Sequence, residues 1–215
     1  MERIVALVYS PSFNDSNYGS LCEFRPDYML PFGGRYRIID FALSNLANYD
    51  INRVILYAGS KLRSTLDHVG NGKSWELNRR NGGLMINPVG LSGNGNRSEV
   101  ETYYDTIVYF QEHDFEYVYI KNPMYIIKED IIDAMEKMKE EDLDCLILSN
   151  KTLDENGEYL NQSIINSDED GKPVGVGLNL GITDTVDLFL GSLIMKKEAF
   201  LKVLRQAMQR NVSNT

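Results

Sequence analysis

The run Pro31-Phe32-Gly33-Gly34-Arg35-Tyr36-Arg37 sets two glycines beside two arginines at alternate positions. Glycines permit a tight turn, and a guanidinium group binds phosphate oxygens through paired hydrogen bonds. Arg35 and Arg37 are therefore candidates for contact with a small phosphorylated ligand. The plainer reading pairs Arg37 with a neighbouring carboxylate such as Asp40. Elsewhere the signals for chemistry are thin. Segment 10–19 holds one glycine and has no Lys or Arg before Arg25, which makes a poor phosphate cradle. The glycine-containing run at 90–98 follows no clear strand and reads as a flexible turn. Lys121-Asn122-Pro123-Met124-Tyr125 lacks the carboxylate a magnesium-dependent transfer would need, and Glu129 and Asp130 fit the start of a helix. His68 and His113 stand alone, without ligand spacing. Cys22 and Cys145 form no CxxC pair and read as ordinary thiols. No catalytic residue and no metal ligand is assigned.

These residues must be positioned by a recurring pattern. Apolar runs of strand length at 4–9, 53–59, 117–120 and 145–148 alternate with helical patterns at 38–48, 62–69, 100–112 and 129–139. Near-continuous apolar runs fit strands covered on both faces, and their alternation with helices implies βαβ units. The expected fold is an α/β three-layer sandwich, α/β/α, around a mainly parallel mixed sheet of Rossmann-like type. Ligands on such sheets bind beyond the carboxyl ends of the strands. The pattern then changes: residues 163–174 read as a hairpin turning at Asp170-Gly171, and a strand at 186–194 leads into a helix near Lys196. The polar, glycine-rich stretch 70–97, with the only tryptophan, Trp75, reads as a long loop.

Composition narrows the function classes. Hydrophobic residues make up 43% and charged residues 25%, enough to build and enclose a core. The net charge of −9, from 31 acidic against 22 basic residues, disfavours nucleic-acid binding but leaves room for a local cationic pocket. No apolar run approaches membrane-spanning length, the N-terminus does not read as a signal peptide, and a cytoplasmic location is expected.

Pro31-Phe32-Gly33-Gly34-Arg35-Tyr36-Arg37-Ile38-Ile39-Asp40-Phe41-Ala42-Leu43-Ser44-Asn45 closely resembles the signature of ADP-glucose pyrophosphorylases, the glucose-1-phosphate adenylyltransferases. Val69-Gly70-Asn71-Gly72, Trp75 and Asn81-Gly82-Gly83 resemble a further run of that family at similar spacing. The likeness extends over nearly all of the chain. It implies a nucleotide-diphospho-sugar transferase fold over residues 1–215 and a role in forming ADP-glucose from ATP and glucose-1-phosphate for glycogen synthesis. It also implies a left-handed β-helix domain that these residues do not include, and a second metal carboxylate that would lie close to or beyond Thr215.

The departures are as informative as the matches. Active members carry a glycine-rich loop where segment 10–19 stands, and a lysine where Asp27 stands. Their metal-binding aspartate aligns with Met124, and their adenine-side glutamine with the neighbourhood of Gly59. Their Glu-Lys-Pro sugar-phosphate motif is missing from 175–181. Met124 offers a soft thioether, which does not hold magnesium against a triphosphate. The resemblance thus points to a non-catalytic regulatory subunit. It would assemble with a catalytic partner that binds Mg²⁺, as a hetero-oligomer of tetramer type, with Arg35 and Arg37 toward a phosphorylated effector. Two other readings stand beside it: an active enzyme with rearranged ligands (Asp15, Glu23 or Asp130), and a free-standing sugar-phosphate or nucleotide sensor.

Overall fold

The five residues of strand β1 (Ile4–Val8) are all nearly inaccessible, and successive side chains enter two different cores. Ile4, Ala6 and Val8 pack with Ile39, Leu43 and Leu46, whereas Val5 and Leu7 pack with Val100, Phe110 and Phe200. A strand alternates its side chains across the sheet, so two apolar parities require two covered faces. Each such fully buried side chain is worth about 1.5–3 kcal/mol. The result is a three-layer sandwich, seen here in a computed structural model that describes residues 3–10, 15–59, 61–80, 82–89, 98–169 and 172–210.

In chain order, β1 is followed by a two-strand ribbon, β2 (Pro31–Phe32) and β3 (Tyr36–Arg37), then α1 (Ile38–Asn48), β4 (Arg53–Ala58), α2 (Leu62–Val69) and β5 (Gly83–Pro88). Next come α3 (Glu99–Tyr104), α4 (Ile107–Glu112), β6 (Tyr117–Lys121), α5 (Ile131–Glu140) and β7 (Cys145–Leu153). The chain continues through β8 (Ser163–Ser167), β9 (Pro173–Leu178), β10 (Thr185–Lys196) and α6 (Lys197–Gln209). The sheet runs β5-β4-β1-β6-β10-β8-β9, with β7 also on β10. Strands β5, β4, β1 and β6 are mutually parallel, and β10 runs antiparallel to β6 and β7. Helices α1 and α5 supply one core; α3, α4 and α6 supply the other.

Three expectations change. The stretch 70–97 is not all loop, because β5 within it pairs in parallel with β4, Arg53 opposite Gly83. Gly83 has φ +86°, and a Cβ there would stand 2.6 Å from the Leu77 carbonyl oxygen, so this entry to the strand needs glycine. The helix expected at 100–112 is two helices, broken where the Thr106 hydroxyl donates to the Tyr103 carbonyl (3.0 Å). Strand β7 runs on to Leu153 because β10 remains beside it. The hairpin forms as β8 and β9, though its turn residues Asp170 and Gly171 lie outside the described residues, as do 90–97.

Candidate functional site

The parallel strands end together, and the residues just past their tips form the region where this architecture binds ligands. Ser10 follows β1, Gly59 follows β4 and Asn122 follows β6. The tips are tied by backbone bonds from Tyr9 N–H to the Lys121 carbonyl (3.2 Å) and from Asn122 N–H to the Gly191 carbonyl (3.1 Å). Gly191 sits at the bulge of β10 with φ +60°, and a Cβ there would lie 2.7 Å from that of Asn122. The contact brings the antiparallel strand close against the tip of β6.

Asp27, where the resemblance expects a lysine, is 1% exposed at the tip of β1. Its carboxylate accepts from the Ser10 hydroxyl (2.9 Å) and from the Tyr28 N–H (2.7 Å). Lys61, past the tip of β4, donates to the carbonyl of Cys22. Met124 is partly buried and packs against the core cluster that holds Tyr28 and Met29. Its N–H donates to Asn122 Oδ1 (3.0 Å), a local turn that turns that amide oxygen toward the backbone.

The ribbon β2–β3 carries the two arginines. Arg35 is exposed, with its guanidinium 5.0 Å above the Tyr36 ring and donating to the Tyr36 hydroxyl (2.9 Å). Arg37 donates through its guanidinium to the Met29 carbonyl (2.8 Å). The expected side-chain pairing of Arg37 with Asp40 is replaced by a backbone one: Asp40 accepts the Arg37 N–H (2.9 Å), as N-terminal helix carboxylates do. The other Asp40 oxygen lies 2.6 Å from His68 Nε2, so His68 is not solitary. His113 stacks on Tyr109, with ring centroids 4.0 Å apart. Cys22 is buried, and burial pushes the Cys145 thiol up to about 11, which keeps it protonated.

One buried ion pair escaped the sequence reading. Lys121 Nζ lies 2.9 Å from Glu129 Oε1, with both side chains 1% exposed. The Tyr119 hydroxyl donates to the same oxygen (2.7 Å), and the Tyr49 hydroxyl donates to the Glu129 carbonyl. Burial lowers the pKa of Lys121 while Glu129 works to raise it. A lysine closing an otherwise apolar strand, with an acid eight residues on, was the available signal. Glu129 Oε1 is thus occupied while its buried Oε2 has no hydrogen-bond partner among the described residues, and Asp130 caps α5 by accepting the Asp133 N–H (3.1 Å). Glu23 is exposed, and the side chain of Asp15 lies outside what is described.

A similar internal network fills 175–181, where the family's sugar-phosphate motif falls. Asn179 is 2% exposed and donates to Asp154 Oδ2 (2.6 Å) and to the Tyr159 carbonyl (3.0 Å). Its own oxygen accepts the Gly181 N–H (3.0 Å).

Magnesium requires several oxygen ligands at short range. At the tip of β6 the donors are a thioether and an amide already hydrogen-bonded, and the buried acids Asp27 and Glu129 are held by Ser10 and Lys121. Among the described residues no three His, Cys, Asp or Glu side chains converge to hold a metal ion. The residues present do not fit Mg²⁺ there. No described helix is long and apolar enough to cross a membrane.

Comparison of the whole structure finds a chain from Bacillus anthracis named as a glucose-1-phosphate thymidylyltransferase, with a TM-score of 0.69 over all of this chain and 85% of that one at 12% identity. The fold is that of a sugar nucleotidyltransferase. No family model matches the sequence. A glucose-1-phosphate adenylyltransferase of Clostridium perfringens (strain SM101) is 32% identical over 173 residues, covering 79% of this chain and 44% of its own. The glycogen biosynthesis protein GlgD of Bacillus subtilis is 49% identical over 59 residues, 27% of this chain and 17% of its own. The chain is a homologue of the glucose-1-phosphate adenylyltransferases and of GlgD. It spans less than half the length of the curated relatives it matches.

Proposed function

We propose that this chain acts in glycogen biosynthesis as a non-catalytic, regulatory subunit of a glucose-1-phosphate adenylyltransferase. The observation that carries the reading is Met124, packed against the apolar core at the position where the resemblance puts a metal-binding aspartate. Asp27 and Asn179 support it, since each engages its neighbours at places where the resemblance expects groups that meet substrate. The chemistry, and the Mg²⁺ it needs, would belong to a catalytic partner in a hetero-oligomer. Exposed Arg35 would face a phosphorylated effector, while Arg37, held on the Met29 carbonyl, would fix the ribbon that presents it.

The test is formation of ADP-glucose from ATP and glucose-1-phosphate, with the protein alone and mixed with a catalytic homologue. Alone it is expected to give no product above background; in the mixture it changes the partner's rate or effector response. Sustained turnover by the isolated protein overturns the proposal.

A further inference from the structure

A cavity of about 320 Å³ opens at the end of the sheet opposite the strand tips, and the nucleotidyltransferase resemblance assigns it no role. Its wall includes Ser44, Asn48, Asn52, Ser74, Trp75 and Arg79. These residues come from the last turns of α1, the entry to β4 and the segment between α2 and β5. The volume lies at the lower end of the roughly 300–1,000 Å³ typical of small-ligand sites.

Its chemistry is selective. Arg79 lies between Asp50 (3.7 Å) and Glu76 (3.8 Å), so its charge is already shared with two carboxylates. The carboxyl end of α1 adds the negative end of a helix dipole. Phosphate esters are therefore disfavoured. The amides of Asn48 and Asn52 and the hydroxyls of Ser44 and Ser74 each offer both donor and acceptor capacity. Trp75 packs against the core yet is only partly buried, leaving part of a broad apolar ring on the cavity wall. An aromatic platform beside groups that both donate and accept matches a pyranose, whose C–H face is apolar and whose rim carries neutral hydroxyls.

We infer that the Trp75 cavity is a binding site for a neutral saccharide, separate from the strand-tip region and independent of whether that region is catalytic. Trp75 is the only tryptophan of the chain, so its emission reports directly on the cavity.

The experiment titrates the whole chain with maltotriose, following Trp75 emission and, separately, saturation-transfer NMR of the sugar. A saturable response in either readout is expected. Asn48 is exposed and outside the core, so Asn48→Ala should retain the unfolding midpoint while weakening maltotriose binding by about tenfold, the order of one good hydrogen bond. No response in both readouts from folded protein overturns the inference. So does an Asn48→Ala variant that binds equally well, or a site that responds to spermidine and not to maltotriose.

Discussion

The two ends of the sheet treat their polar groups in opposite ways. At the strand tips, Asp27, Asn122, Glu129 and Asn179 each bond to the protein itself, and Met124 packs against the core. At the other end, Asn48 is exposed and, with Ser74, borders an open cavity beside Trp75. The end of the sheet where this architecture customarily binds ligands thus holds these polar groups within the protein. Buried polar groups need partners, and at the tips neighbouring residues supply most of them, Glu129 Oε2 remaining without one among the described residues.

The sharpest way to break this contrast is to remove one member of the buried pair. Lys121→Met leaves the Glu129 carboxylate desolvated beside Tyr119, and the expected loss of stability is about 3–5 kcal/mol. Urea unfolding measures it, and Lys121→Met with Glu129→Gln should recover much of the loss. A single variant of unchanged stability would mean that the tip network is not structural.

A smaller effect is expected from restoring the carboxylate that the resemblance expects. Met124→Asp places an acid against apolar neighbours and should cost about 1–3 kcal/mol. Calorimetry should find no magnesium-dependent gain in ATP binding, because the buried acids Asp27 and Glu129 already bond to Ser10 and Lys121. A clear gain would show the tip to be one substitution from function.

The smallest effect concerns Tyr57, near the tip of β4, whose hydroxyl lies 2.5 Å from Thr106 Oγ1. Burial raises its pKa above the ordinary 10.0. A raised folded pKa contributes stability that is fully present below the unfolded value and is lost as pH rises toward the folded one. Between pH 8 and 10 the fall in stability should therefore be smaller in Tyr57→Phe, by about 0.4 kcal/mol. Equal falls in the two proteins would place the hydroxyl in contact with solvent.

Legibility in the sequence followed locality. Helices at 38–48 and 62–69 and the strand runs beginning at Ile4, Arg53 and Tyr117 were readable because their apolar periodicity lies within a few consecutive residues. Strand β5 was hidden because Gly83-Leu84-Met85-Ile86-Asn87-Pro88 is short and half-exposed, and becomes a strand through its ladder with β4. The Asp40–His68 and Lys121–Glu129 contacts join side chains that no local pattern pairs.

By itself the sequence determined the three-layer plan, since a covered strand must be apolar on both parities, and it set a thioether at position 124, where the resemblance expects a carboxylate. Only the tertiary structure decided what the polar residues do. Asp27 meeting Ser10, Glu129 meeting Lys121 and Trp75 lining an open cavity all depend on distances across the fold, which residue types and spacing along the chain do not encode.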